Sequence, residues 1–203
     1  MKHIIIAGGS RCGKTTLSLM FREKGFNHYK MDSIKRGIDN NFWNGYKDDW
    51  RKVSPHMAHL INQVINECES DLTNNKEWYV IDTCHLYPSD IAKYNLKNTT
   101  IVFLGYTDID IEKKLKEIRK YDKNAWTNKA SDDDIRFSLK LGIDYSRETK
   151  EECKNYNIKY FDTSKNFKKV INEAYKYIEG ELDENTVWNW RKNWNYWTSK
   201  SWN

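Results

Sequence analysis

Proline and glycine are scarce in this 203-residue chain, with two and nine copies. That excludes collagen-like repeats and low-complexity disorder rich in these residues. No apolar run approaches the ~20 residues a membrane-spanning helix needs. The stretch Ile4-Ile5-Ile6-Ala7 is too short for a secretory signal, so a cytoplasmic protein is expected. The four cysteines, at 12, 68, 84 and 153, form no C-x-x-C pair. Neither a zinc site nor a disulfide framework is indicated, and free thiols in a reducing compartment are expected. A strong excess of one charge is missing too: the net charge is +5, with acids and bases mixed along most of the chain. That balance gives no ground for a nucleic-acid partner, although it suits a site that handles phosphates.

What the chain does have is an alternation of apolar runs and amphipathic stretches. Ile4-Ile5-Ile6-Ala7 is a continuous apolar run, as a strand buried on both faces requires. Tyr29-Lys30-Met31, Trp78-Tyr79-Val80-Ile81, Thr100-Ile101-Val102-Phe103-Leu104 and Ile158-Lys159-Tyr160-Phe161 read as four more strands. Between them the pattern predicts helices over 15–24, from Ser54-Pro55 to about 70, over 108–120, from near Ser131, and over 165–179. Proline suits a first helical turn, and Met57, Leu60, Ile61, Val64 and Ile65 share one stripe of that helix. Ser131-Asp132-Asp133-Asp134 has the chemistry of an N-cap followed by acids in the first turn. Five strands separated by helices predict an α/β fold, a five-stranded parallel sheet flanked by helices.

Gly180 marks a boundary between a main domain, 1–180, and an extension, 181–203. The extension holds five of the nine tryptophans, and Val187, Trp190, Trp194 and Trp197 fall on one helical stripe. Such a stripe packs back on its own domain or offers, across 187–202, a homodimer contact.

The sharpest signal is Gly8-Gly9-Ser10-Arg11-Cys12-Gly13-Lys14-Thr15, which fits G-x-x-x-x-G-K-[ST]. Glycines let successive N–H groups turn inward as an anion nest, and the following helix adds the positive end of its dipole. Lys14 is placed to reach the β- and γ-phosphates, and the Thr15 hydroxyl to ligate Mg²⁺. The expected cradle is Gly8, Gly9, Ser10, Arg11, Cys12, Gly13, Lys14, Thr15 and Thr16, and its expected ligands are ATP and Mg²⁺. Asp82 ends an apolar strand, where a carboxylate can hold Mg²⁺ or meet the substrate. His85 alone reads as a structural group.

With this opening strand, loop and helix, the sequence resembles the P-loop kinases of the nucleoside-monophosphate-kinase and shikimate-kinase type, the adenylate-kinase-like superfamily. The resemblance covers roughly residues 1–180. Asp82-Thr83-Cys84-His85-Leu86-Tyr87-Pro88 is similar to the acidic-Gly-x-His-Leu-x-Pro stretch of some small-metabolite kinases and to the Asp-Gly-Phe-Pro-Arg stretch of monophosphate kinases. Thr83 replaces the glycine of both, and no arginine follows Pro88.

The resemblance implies an ATP-dependent phosphotransferase acting on a small acceptor. It implies that Asp32 contacts the acceptor hydroxyl, orienting it or taking its proton, and that Lys35 or Arg36 holds an acceptor phosphate. It implies a lid over about 119–131, within the basic run from Lys113 to Lys129. There Arg119 covers the transferring phosphoryl group, with Lys123 and Arg136 as the next choices. It also implies that the loop Tyr160-Phe161-Asp162-Thr163-Ser164 passes along the adenine. The aromatic segment with Trp43, Tyr46 and Trp50 offers a stacking wall or packs against the 55–70 helix.

A nucleotide or nucleoside acceptor is the leading expectation, favoured by Lys35, Arg36 and the aromatic segment. A hydroxylated metabolite, favoured by Asp32, is the alternative. A nucleotide-dependent ATPase switch is a third reading, but no residue stands out to position attacking water. The absence of an Asn-Lys-x-Asp motif speaks against a GTPase.

Overall fold

In the computed structural model, residues 2–38, 49–70, 78–121 and 126–182 are described. Trp43, Tyr46, Lys123, the Arg36 side chain and the tryptophan stripe of 183–203 lie outside the described residues. Strand β1 (His3–Gly8) leads through the glycine loop to α1 (Lys14–Arg22). Strand β2 (Asn27–Lys30) runs straight into α2 (Met31–Ile38), and α3 (Trp50–Ser70) precedes β3 (Tyr79–Thr83). Then come α4 (Pro88–Ile91), β4 (Thr99–Gly105), α5 (Ile111–Tyr121), α6 (Asp132–Asn155), β5 (Lys159–Asp162) and α7 (Phe167–Glu181).

The five strands form one parallel sheet in the order β2-β3-β1-β4-β5. β1 is central and all six of its residues are buried, which is why its sequence is apolar without alternation. Successive side chains leave opposite faces of a strand, and two cores follow from that. Ile4 and Ile6 join Leu17, Phe21, Val102, Leu104, Leu139, Ile171 and Ile178, beneath α1, α5, α7 and the first half of α6. Ile5 and Ala7 join Met57, Ile61, Ile65, Ile81 and Phe103, beneath α3 and α4. Each fully buried Ile, Leu or Phe contributes about 1.5–3 kcal/mol. Phe103→Ala, in the middle of the second core, removes about 3–5 kcal/mol. Among the described residues, no helix is long and apolar enough to cross a membrane.

Some boundaries differ from the sequence reading. The α3 helix begins at Trp50, not at Ser54-Pro55, because the Asp49 carboxylate accepts the Lys52 N–H at 3.2 Å and caps it earlier. Pro55 therefore sits inside the helix, and the Ser54 hydroxyl is left to accept the Tyr87 N–H at 2.7 Å. Met31, read as strand, opens α2. The α5 helix starts at Ile111 rather than Asp108, since Asp110 accepts the Lys113 N–H at 2.9 Å. The cap at Ser131 forms as expected: its hydroxyl accepts the Asp134 N–H, and the Asp134 carboxylate accepts the Ser131 N–H.

Candidate active site

The glycine loop occupies the carboxyl end of β1, beside the point where the strand order reverses. Crevices there are where open α/β sheets take ligands. Two of its glycines are sterically required. Gly8 has φ 142°, and a Cβ there would sit 1.8 Å from the Leu104 carbonyl oxygen. Gly13 has φ 102°, and a Cβ there would meet Ile171 Cδ1 and Phe167 Cε2 at 2.7 Å. Gly9 is different, since a Cβ would find only ordinary contact at 3.5 Å. Arg11 adopts φ 62° at the crest of the loop.

Lys14 folds back over this turn. It is buried, and its ammonium donates to the Gly9 carbonyl at 2.6 Å, beside the Cys12 thiol, which donates to the same oxygen at 2.9 Å. Burial opposes the Lys14 charge. The Cys84 and Cys12 sulfurs and the carboxylates of Asp82 and Asp32 outweigh it, so its proton is held more tightly than usual. Burial pushes the Cys84 thiol upward as well, leaving it neutral. A buried ammonium in a glycine turn that opens a helix has the chemistry to pair with a polyanion.

Thr15 lies in the first turn of α1, and its hydroxyl donates to Asp82 Oδ2 at 2.6 Å. Asp82 stands on β3, opposite Ile6 of β1 and Lys30 of β2 in the ladder. His28 Nε2 lies 3.7 Å from the same carboxylate oxygen, and both side chains are only 5% exposed. Among the described residues, no group of three or more His, Cys, Asp or Glu could hold a metal ion by itself. The paired oxygens of Thr15 and Asp82 nevertheless fit Mg²⁺, which takes one or two protein oxygens and completes its shell with phosphates and water. Ser10 is half-buried and Thr16 exposed on the rim.

Asp32 lies in the first turn of α2. Its Oδ1 accepts the Cys84 N–H at 3.0 Å and stands 3.8 Å from His85 Nδ1. Burial works to raise its pKa. The His85 contact, the Lys14 charge and the Cys84 N–H prevail and hold it well below the usual carboxylate range. Lys35, one turn along the same helix, is buried. The Trp50 ring leans on His85 at 5.0 Å and meets the Tyr145 ring edge-on at 4.6 Å, and the Tyr145 hydroxyl donates to the Leu86 carbonyl. Lys14 feels the charge of both Asp82 and Asp32, so the loop, the end of β3 and the start of α2 share one electrostatic centre. The sequence reading treated His85 as structural and did not single out His28. The signal for His85 was its place three residues beyond Asp82, at the end of a buried strand.

Arg119 closes the last turn of α5 on the segment that follows it. Its guanidinium donates to Asp132 Oδ1 at 2.6 and 2.9 Å, to the Thr127 carbonyl at 2.5 Å and to the Ala130 carbonyl at 2.8 Å. Thr127 in turn accepts from Arg11 of the glycine loop at 3.4 Å. Arg119 thus grips the segment that touches the loop. Arg136 is turned toward Glu112 and Asp133. At the end of β5, Asp162 accepts the Thr107 and Ser164 hydroxyls at 2.5 Å and pairs with Lys150, which ties down the start of the loop that follows.

No protein-family model matches the chain, and no curated protein matches its sequence. Its structure does have relatives among solved structures. A shikimate kinase from Bacteroides thetaiotaomicron is similar at TM-score 0.53 and 13% identity, over 88% of this chain and 98% of that one. A shikimate kinase from Acinetobacter baumannii, solved with shikimate, is similar at TM-score 0.51 and 17% identity, over 89% and 94%. The chain has the P-loop kinase fold.

Proposed function

We propose that this protein is a kinase that transfers the γ-phosphoryl group of ATP to a small acceptor. The observation that carries the reading is the buried Lys14 ammonium inside the glycine turn, with the Thr15–Asp82 oxygen pair at its mouth. The loop amides beyond Gly9, from Ser10 to Thr16, bind the donor phosphates, and Lys14 follows the γ-phosphoryl group as charge moves on to the leaving oxygen. Thr15 and Asp82 would hold Mg²⁺, which when bound would neutralise phosphate charge. Asp32 orients the acceptor from the facing side. Arg119 keeps 127–132 against the loop and so keeps water off the reacting phosphoryl group.

The acceptor is a nucleotide or nucleoside on the reading favoured by the Lys35–Arg36 pair, or a hydroxylated metabolite on the reading favoured by Asp32. The test is ATP consumption with nucleosides, nucleoside monophosphates and hydroxylated metabolites offered in turn. A kinase consumes ATP far faster with its acceptor than with water, and Lys14→Ala abolishes the difference. If no acceptor raises turnover above the Lys14→Ala background, the proposal fails.

A further inference from the structure

Three separate pieces of chain converge on one imidazole. The first turn of α2 brings Asp32, the turn after β3 brings Cys84 and His85, and the start of α3 brings Trp50. His85 Nδ1 is buried, has no hydrogen-bond partner and faces Asp32 Oδ1 at 3.8 Å. The side chain keeps 18% exposure, and Nε2, unlike Nδ1, is not among the buried atoms without a partner. The Trp50 ring holds the imidazole from the side, inclined at 59°. A carboxylate behind one nitrogen and an open second nitrogen is the arrangement that makes an imidazole a directed proton acceptor.

The geometry points to His85 as the general base of the reaction, and therefore to an acceptor that attacks through an alcohol hydroxyl rather than a phosphate oxygen. This rests on the phosphotransferase reading above and narrows it. Asp32 is a poor base itself, because the His85 contact, the Lys14 charge and the Cys84 N–H outweigh burial and stabilise its charged form. The same charge makes it a good partner for an imidazolium. A phosphomonoester is already largely ionised at neutral pH, its second pKa being about 6, and needs no base to attack. An alcohol does. In the step, His85 Nε2 takes the hydroxyl proton as the acceptor oxygen bonds to the γ-phosphorus. The bond from that phosphorus to the β–γ bridging oxygen breaks, and its electron pair leaves with ADP. The imidazolium rests against Asp32 through Nδ1–H and releases its proton to solvent after the products depart. The groups facing His85 are Asp32 from α2, with Lys14 of α1 behind it, the Trp50 ring from α3, and Tyr145 of α6 beyond Trp50.

The experiment measures ATP consumption by the full chain with nucleosides and cyclic or linear polyols on one side and nucleoside monophosphates on the other. Wild type, His85→Gln, Asp32→Asn and Lys14→Ala are compared. At least one alcohol is expected to be phosphorylated. His85→Gln then loses about 100-fold in kcat, while the acceptor KM moves by less than about 3-fold. The wild-type kcat falls on the acid side as the imidazole is protonated, and His85→Gln loses that limb of the profile. Phosphorylation of monophosphates alone overturns the proposal. So does a His85→Gln enzyme that keeps its kcat and its acid limb, which leaves the kinase reading standing as long as Lys14→Ala is inactive. Failure of every acceptor to exceed Lys14→Ala overturns both. A second readout needs no acceptor: the Nδ1–H proton signal of His85 is recorded by NMR in wild type and in Asp32→Asn. A signal protected from exchange in wild type and lost in the variant is expected, and an unchanged signal overturns the pairing of Asp32 with His85.

Discussion

The two halves of the proposed site, one for the phosphate donor and one for the acceptor, are built by different means. The donor half comes from nine consecutive residues, Gly8 to Thr16, joined by Asp82. Its key contacts are short: 2.6 Å from Lys14 to the Gly9 carbonyl and 2.6 Å from Thr15 to Asp82. Much of it is backbone, and two of its glycines, Gly8 and Gly13, are dictated by collisions with Leu104, Phe167 and Ile171. The acceptor half is assembled from α2, α3 and the turn after β3, with the Asp32–His85 contact relaxed to 3.8 Å. Chemistry that any triphosphate requires can be written into one local turn. Chemistry that selects a partner needs side chains from distant parts of the chain, free to adjust when that partner arrives.

The largest expected effect tests the donor half. Lys14→Ala should lower kcat/KM for ATP by about 10²–10³. A loss no larger than that of Asp32→Asn would erase the distinction between the halves. Next comes a contrast within the loop, read from thermal unfolding. Gly8→Ala drives a methyl into the Leu104 carbonyl and should cost about 3 kcal/mol or more, whereas Gly9→Ala should stay within about 1 kcal/mol. Equal costs would show that the turn is not held by the collision at Gly8.

Arg119→Ala releases the grip on Thr127, Ala130 and Asp132. It should slow turnover by about 10- to 100-fold and speed amide exchange over 127–132. Slower turnover without faster exchange would move Arg119 from holding the segment to contacting the phosphoryl group. The smallest effect is on stability in acid. Burial works to raise the Asp162 pKa, but the Ser164 and Thr107 hydroxyls and the Lys150 ammonium outweigh it and hold the group at about 2. An unfolded carboxylate titrates near 3.9. A depressed folded pKa gives stability that is present above the unfolded value and is lost as the pH falls toward 2. Asp162→Asn should therefore unfold with a flatter dependence on pH between about 4 and 2, and an unchanged slope would place the acid sensitivity elsewhere.

Much of this was legible before the structure. The β1 run, the motif from Gly8 to Thr15, the α3 stripe and the Ser131 cap are short-range patterns, and local physics enforces them. The start of α3 was misread because Pro55 advertises a first turn, while Asp49, five residues ahead of Ser54, supplied the cap. The proximity of Asp32 to His85 was not legible, since it depends on β2 pairing with β3 in a register that sets Lys30 beside Asp82. The partners of Arg119 were hidden for a similar reason: they lie across a turn whose shape the basic run does not encode.

The length of α6 carries a mechanical consequence. Its 24 residues form a single rod about 36 Å long. Near one end, Asp132 takes the Arg119 guanidinium, and further along Tyr145 supports Trp50 while Glu148 and Glu152 both grip Arg51. A stiff beam pinned at two places cannot tilt at one without loading the other, so the segment 127–132 beside the glycine loop and the Trp50 wall beside His85 are leveraged against each other.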